Sequence, residues 1–318
     1  MPIPASHPLN PGEGMPIFIS AGVFKYPAEL RPFYEIEDPL MAPILTLGSY
    51  TYPEWPGNAA PGQTDFVYDP DRREAGNARG LPGPGVEGIR ALKQPVARLS
   101  KVGVKTIISV TNLPHERPID VIPDLVEEAA EVGATGIEIN LSCPNGKKPD
   151  GSFHAPLCND ADASGEVIEA SRERVGGEVL LGEKDGPHTA SHDQSIDRPA
   201  IGRLAVATAP LVDFITGINT IPNQPFPELT CANGRGGQSG PIVAARAREH
   251  LAAWKTYAPE LAYLSCGGVD TMNAGQEISE RLAMDALLVG GAQEFYRARD
   301  PLEVTAGWFR NYVMASPE

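Results

Sequence analysis

The sequence has no uninterrupted apolar run of 18 residues, so nothing in it reads as a membrane span. Met1 to Gly14 lacks both a basic leading stretch and an apolar core, which argues against a secretory signal. Cysteine is scarce: Cys143, Cys158, Cys231 and Cys266 are 4 in 318 residues and form no Cys-x-x-Cys pair. That pattern excludes a disulfide frame and an iron–sulfur cage and fits a reducing compartment, so a cytoplasmic protein is expected. Positive charge is also short. Lys+Arg of 26 against Asp+Glu of 41 gives 26 − 41 = −15, which disfavours nucleic acid and anionic lipid as partners.

Glycine and proline are abundant, at 33 and 32 residues, about a fifth of the chain against an ordinary combined share of ~12%. Such a chain has many tight turns and long ordered loops, which is where sites are built. Period reading gives β-prone runs at Ile17–Ala21, Ile44–Ser49, Lys105–Val110, Gly136–Leu141, Glu178–Gly182, Val212–Thr216, Ala262–Cys266 and Ala286–Val289. Amphipathic stripes follow most of them: Gly85–Val102, Asp120–Val132, Ala163–Arg174, Ser195–Ala207, Ser239–Thr256, Ala274–Met284 and Pro301–Tyr312. Eight strands alternating with helices predict an α/β fold, a single (β/α)8 TIM barrel over residues 1–318. Residues 51–88, saturated with Pro, Gly, Asn and Asp, are far longer than a βα loop. Trp55, Phe66 and Tyr68 need cover, so this excursion is expected to be ordered and to roof the carboxyl-terminal face of the barrel.

Chemistry in such barrels gathers where the strands end. Those ends carry Ser20-Ala21-Gly22, Gly48-Ser49, Thr111-Asn112, Asn140 to Asn145, Lys184, Asn219-Thr220, Gly267-Gly268 and Gly290-Gly291. The last two pairs, with Gly236-Gly237-Gln238-Ser239-Gly240, suit a phosphate, because glycines let peptide N–H groups approach an oxygen cluster. Tight corners alone would use the same glycines. Cys143 follows a strand in a polar Asn-x-x-Cys-Pro-Asn turn, where a thiol can exchange a proton, though most cysteines are simply small buried hydrophobes. Lys184 ends an apolar strand, either as an ion-pair partner or as a fixed charge beside a group that becomes anionic. Cys143, His154 and Cys158 do not match an ordinary zinc spacing, and no metal is expected. Ser191-His192-Asp193 is adjacent only along the chain. His115 and His188 border strand-end loops, where a histidine can touch a ligand, but they read sooner as solvated loop histidines.

Ile139-Asn140-Leu141-Ser142-Cys143-Pro144-Asn145 resembles the dihydroorotate dehydrogenase family, which includes the reducing domain of dihydropyrimidine dehydrogenase. The resemblance runs in order from Pro16 to Tyr312. It takes in Asn77-Ala78-Arg79-Gly80-Leu81-Pro82, Gly182-Glu183-Lys184, Asn219-Thr220, Gly236 to Gly240, Cys266 to Val269 and Val289 to Gly291.

It implies an FMN oxidoreductase acting on CH–CH bonds in pyrimidine metabolism. A hydride would pass between C6 of a dihydropyrimidine-type ring and flavin N5, with Cys143 as acid/base at C5. Lys184 would face the flavin N1–O2 edge. Ser20, Ala21, Gly22, Gly48, Ser49, Asn140 and Asn219 would lie along the flavin, with Gly237, Ser239, Gly240, Gly267, Gly268, Gly290 and Gly291 around its phosphate. Asn77, Asn112, Asn140, Asn145, Asn219 and Thr220 would read the substrate. Electrons would leave to a soluble acceptor or a partner subunit, and a homodimer is expected.

Two departures fall near the substrate: Gly48 stands where the family has a lysine, and Gly83 where it has an asparagine. Glycine at 48 would leave a void of several methylenes. The expectation drawn from it is a substrate other than dihydroorotate, or a flavin-binding barrel that has lost turnover. Lys25 or Arg79 would otherwise supply the missing charge.

Overall fold

A computed structural model describes residues 4–146, 153–189 and 195–315. Twelve strands and eight α-helices are described. The strands are β1 (Ile17–Phe24), β2 (Ile44–Tyr50), β3 (Phe66–Asp69), β4 (Glu74–Asn77), β5 (Thr106–Val110), β6 (Gly136–Asn140), β7 (Leu181–Lys184), β8 (Phe214–Gly217), β9 (Ile221–Pro225), β10 (Arg235–Ser239), β11 (Ala262–Cys266) and β12 (Leu288–Gly291). The helices are α1 (Gly85–Arg90), α2 (Lys93–Lys101), α3 (Pro118–Ala130), α4 (Ala161–Val175), α5 (Arg198–Thr208), α6 (Ala244–Tyr257), α7 (Ala274–Ala283) and α8 (Pro301–Ala315).

Eight strands close a barrel in the order β1-β2-β5-β6-β7-β8-β11-β12, every pairing parallel. This is the expected (β/α)8 architecture. Parallel strands buried on both faces need apolar residues throughout, and the barrel strands supply them. Phe18, Ile44, Ile107, Phe214, Leu264 and Leu288 cluster with Leu9 of the amino-terminal segment in one apolar core. Gly182 belongs to that packing, since a Cβ there would overlap the Phe214 ring. Buried hydroxyls and a carboxylate add polar character to the strands: Thr46, Ser109, Glu138 and Thr216 are all fully buried.

The helices form where caps and apolar spacing agree. Pro118 opens α3, whose Ile122, Leu125, Val126 and Ala129 are buried. The Asp160 carboxylate accepts from the Ala163 N–H at the start of α4, and Asp197 does the same for Ala200 in α5.

The excursion is ordered. Its β3 and β4 join β9 and β10 in a four-stranded antiparallel sheet ordered β3-β4-β10-β9. Trp55 packs on His115, Phe66 on Tyr296, and the Arg297 guanidinium lies over the Tyr68 ring.

Several boundaries differ from the sequence expectation. The Gly85–Val102 stripe is two helices that part at Ala91-Leu92. The run at Glu178–Gly182 pairs only from Leu181, after the Gly176-Gly177 turn, and continues to Lys184. Ser239 is strand rather than helix, because Gly240, at φ +116°, turns the chain before α6. The last barrel strand lies two residues later than expected, at Leu288–Gly291. Neither β9 nor β10 was predicted, since Asn-Gln-Pro and Gly-Gly-Gln-Ser have low strand propensity and pair only through tertiary contact. Among the described residues, no helix is long and apolar enough to cross a membrane.

Candidate active site

A cavity of about 280 Å³ opens where the barrel strands end, beneath the four-stranded sheet. Lys184, the last residue of β7, is buried in its wall, and its ammonium donates to the Ser20 hydroxyl at 3.0 Å. Ala21, Gly22, Ser49, Asn140 and Asn219 share that lining, as do Ser239, Gly240, Gly267, Gly268 and Gly291. Gly268, at φ +78°, presses so closely on α6 that a Cβ would overlap the Ala244 backbone. Bare peptide therefore faces the cavity beside the amino end of that helix, an arrangement suited to phosphate.

Cys143 reaches the same cavity from the loop after β6. Burial pushes its thiol above the ordinary value; the Asn145 N–H group and the Lys25 and Lys184 ammoniums oppose that rise. A thiol held neutral beside two cations can give up a proton and take it back.

Amides line the cavity beside it in two hydrogen-bonded sets. Asn140 Nδ2 donates to the Ser49 hydroxyl at 2.9 Å, and its Oδ1 accepts from the Ser142 N–H at 3.1 Å. Asn145 Nδ2 donates to Asn77 Oδ1 at 2.7 Å, and Asn58 Nδ2 fixes the Asn145 carbonyl at 2.7 Å. Asn219 Nδ2 donates to the Ser142 hydroxyl at 3.1 Å, and its Oδ1 accepts from Thr220 N. Thr220 also lines the cavity, with its buried hydroxyl unpartnered among the described residues.

Four expected site residues do not line the cavity. Gly48 has φ +112°, and a Cβ there would run into the Ser109 carbonyl oxygen, so the void inferred at this position does not exist. Gly237 is paired with Asn77 in β10, where a Cβ would strike the Thr220 hydroxyl. Gly290 lies against Phe18 inside the barrel wall. Asn112 Nδ2 donates to the Leu113 carbonyl at 2.8 Å, closing its own loop.

Other residues were missed. Tyr296 and Gln293, from the segment after β12, line the cavity, and the Tyr296 hydroxyl donates to the Gly22 carbonyl at 2.7 Å. Their position just beyond a barrel strand end was the available signal.

His188 is not solvated. It is buried, with Nε2 2.6 Å from Asp185 Oδ1; Asp185 Oδ2 meets His250 Nε2 at 2.9 Å and accepts from the Trp254 indole at 3.0 Å. Burial works against charge on Asp185, but the two histidines overrule it and hold the carboxyl well below the usual carboxylate range. Burial would lower His188 too, yet the Asp185 carboxylate raises it; His250 stays lowered by burial. Cys158 lies beside Asp185 and His188, not with Cys143 and His154 as a zinc reading would need. Ser191-His192-Asp193 lies outside the described residues.

The sequence pattern of the family described as dihydroorotate dehydrogenase matches residues 14–297. The chain belongs to the dihydroorotate dehydrogenase family. Its enzymes are FMN-dependent oxidoreductases acting on CH–CH bonds. Relatives named dihydroorotate dehydrogenase B (NAD(+)), catalytic subunit, include one from Lachnoclostridium phytofermentans, 24% identical over 298 residues, covering 92% of this chain and 88% of that one. Another, from Geobacter sp., is 26% identical over 279 residues, covering 87% and 83%. A crystal structure of DHODH from Eimeria tenella in complex with ferulenol shares the fold, with a TM-score of 0.71 and 17% identity over 95% of this chain and 82% of that one. The donor set fits FMN: a buried lysine and serine at one end, and glycine-rich backbone at Gly267-Gly268 and Gly291 at the other.

Proposed function

We propose that this member of the family oxidises a dihydropyrimidine-type ring, with Cys143 taking the C5 proton while bound FMN would supply the two-electron acceptor for the hydride that leaves C6. The observation that carries the reading is the convergence of Cys143, Lys184 and the amides of Asn77, Asn140, Asn145 and Asn219 on one cavity. Lys184, held by Ser20, would hold a positive charge beside the bound acceptor and would favour its reduced, anionic form. Ser239, Gly240, Gly267, Gly268 and Gly291 would hold the phosphate.

The asparagines offer both donors and acceptors, which matches the alternating N–H and C=O edge of a pyrimidine. Asn145, locked by Asn58 and paired with Asn77, is already oriented for that role. Cys143, beside two cations, accepts the C5 proton and returns it in the reverse direction. Atoms balance: one hydride and one proton leave the ring, and a C5=C6 double bond remains.

Because the relatives are named as catalytic subunits of an NAD(+) enzyme, electrons are proposed to leave through a partner subunit, with a soluble acceptor as the other route. The chain is proposed to act as one barrel domain, as a cytoplasmic homodimer. Anaerobic mixing of the FMN-loaded enzyme with dihydroorotate and with 5,6-dihydrouracil tests the reaction. Bleaching of flavin absorbance by either is the expected result, and no bleaching by any dihydropyrimidine would sink it.

A further inference from the structure

Three cationic side chains line the cavity of this strongly acidic chain: Lys25, Arg79 and Lys184. Two already have a charge assigned to them. Lys184, buried against the neutral Ser20 hydroxyl, faces the flavin in the reading above, and Arg79 lies 3.6 Å from the Asp65 carboxylate and over the Tyr296 ring.

Lys25 is different. It follows the last residue of β1, and its ammonium donates to the Pro82 carbonyl at 2.5 Å. Among the described residues it makes no ion pair. Glu29, the nearby acid, uses Oε2 to accept from the Lys25 and Tyr26 N–H groups, at 2.6 and 2.8 Å. The Tyr50 hydroxyl donates to the Lys25 carbonyl at 2.9 Å, so the backbone is pinned from both sides. The side chain then runs along Gly83, where a Cβ would come within 3.4 Å of Nζ.

A half-buried cation whose hydrogen-bond partner is neutral, on the same cavity wall as Cys143, is an anion site awaiting its counter-charge. Gly48 cannot supply such a charge, because its φ and the Ser109 carbonyl exclude any side chain.

We propose that Lys25 receives a carboxylate of the substrate, so that this enzyme selects anionic pyrimidines over neutral ones. The inference rests on the pyrimidine reading above and deepens it. Burial pulls the Lys25 ammonium down to about 8, while Cys143 opposes that shift, Arg79 adds to it and Glu29 opposes it. The charge is therefore largely present at neutral pH and lost under mildly alkaline conditions. Around it stand Cys143, Arg79 and Glu29, with Tyr26, Lys184 and Tyr296 elsewhere on the cavity wall.

Calorimetric titration of the FMN-loaded enzyme with orotate and with its uncharged carboxamide tests the proposal without relying on turnover. The parent is expected to bind orotate at least tenfold more tightly than the carboxamide. Lys25→Met should weaken orotate by about 10–100-fold, the usual worth of a charge-assisted contact, and the carboxamide by less than about threefold. Lys25→Arg should keep most of the preference, and Arg79→Gln should keep it as well. If Lys25→Met does not retain flavin, the parent's pH profile decides. Orotate affinity should fall as pH rises through about 8, while carboxamide affinity stays level.

A parent without preference, a variant that keeps it, or equal losses for both ligands would each overturn the role of Lys25. If the parent binds neither ligand yet retains FMN, the pyrimidine reading itself has failed, and this inference falls with it.

Discussion

One side of the cavity is made of barrel-strand ends, the other of loops and the roofing sheet. On the strand side, Lys184 follows from the register of β7 against β6, in which it faces Asn140, and Gly291 from β12 against β1, in which it faces Ile19. Their positions are set by ladder hydrogen bonds that the whole barrel must satisfy. On the roof side, Asn77 is held by the small antiparallel sheet, while the Lys25 ammonium and Asn145 are fixed by side-chain bonds between distant segments: Lys25 to Pro82, Asn58 to the Asn145 carbonyl, and Asn145 to Asn77. A cofactor common to a family suits the rigid side. Substrate choice suits the side where one side chain can change without disturbing the barrel.

The largest effect expected to sharpen that division is at Cys143. Cys143→Ala should leave FMN bound while flavin reduction by substrate falls by roughly 10²–10⁴, the worth of a positioned acid/base. Stopped-flow reduction measures the rate and absorbance measures the flavin. A variant reduced at the parental rate would remove Cys143 from the proton transfer.

The strand side was legible in the sequence because its elements repeat. Eight β-prone runs with crossover helices already specify a barrel, and Lys184 and the Gly267-Gly268 and Gly290-Gly291 pairs fall at counted strand ends. The roof was legible only as an ordered excursion. Its partner strands β9 and β10 lie far along the chain, and the pairing of Asn77 with Gly237 leaves no periodic trace. Gly48 misled for a related reason: a missing side chain was taken for space, whereas the Ser109 carbonyl already fills it. His188 misled because a loop position normally means solvent, and here Asp185 draws it inward.

Next in size is the support behind the strand side. Asp185 follows Lys184, and its carbonyl accepts from the Asn219 N–H at 3.0 Å. Removing its carboxylate leaves His188, His250 and the Trp254 indole without their shared partner. Asp185→Ala should cost about 3–5 kcal/mol of unfolding free energy, as loss of one member of a buried pair does. The pH dependence has a definite sign. His188 is raised in the folded state, so its stabilisation is full below pH 6.5 and is lost as pH rises through its folded value. His250 is lowered, so it costs stability as pH falls below 6.5. Asp185 is depressed, and its contribution disappears only in strong acid, below 3.8. Urea titrations between pH 6 and 8 should show the parent losing stability on the alkaline limb and the variant losing less. Parallel limbs would break the argument.

Gly268→Ala should act in between. The new methyl overlaps the Ala244 backbone at a left-handed φ of +78°, a strain of about 1–3 kcal/mol. Weaker flavin retention with substrate affinity per loaded site unchanged is the expected outcome, measured by equilibrium dialysis and calorimetry. Substrate affinity falling while flavin stays bound would erase the division between the two sides.

Asn112 gives the smallest effect and the closest test. It ends a barrel strand region, so strand-end logic alone would make it a substrate contact. In the structure its amide donates to the Leu113 carbonyl at 2.8 Å and lies 3.5 Å from that of Glu116, while Glu116 accepts from the Leu113 N–H at 2.7 Å. These bonds close the β5–α3 loop on itself and leave the side chain off the cavity wall. Asn112→Ala should therefore lower stability by about 1 kcal/mol, the worth of one ordinary hydrogen bond, and change flavin reduction by less than about threefold. Asn145→Ala, by contrast, removes a group that lines the cavity and should weaken substrate binding by about tenfold, since one such bond at 1.4 kcal/mol per decade is worth nearly that much. Measured side by side, the pair separates position along the chain from position in the site. If Asn112→Ala impairs substrate binding as much as Asn145→Ala, strand-end position is the better guide, and the roof has been given too large a share in recognition.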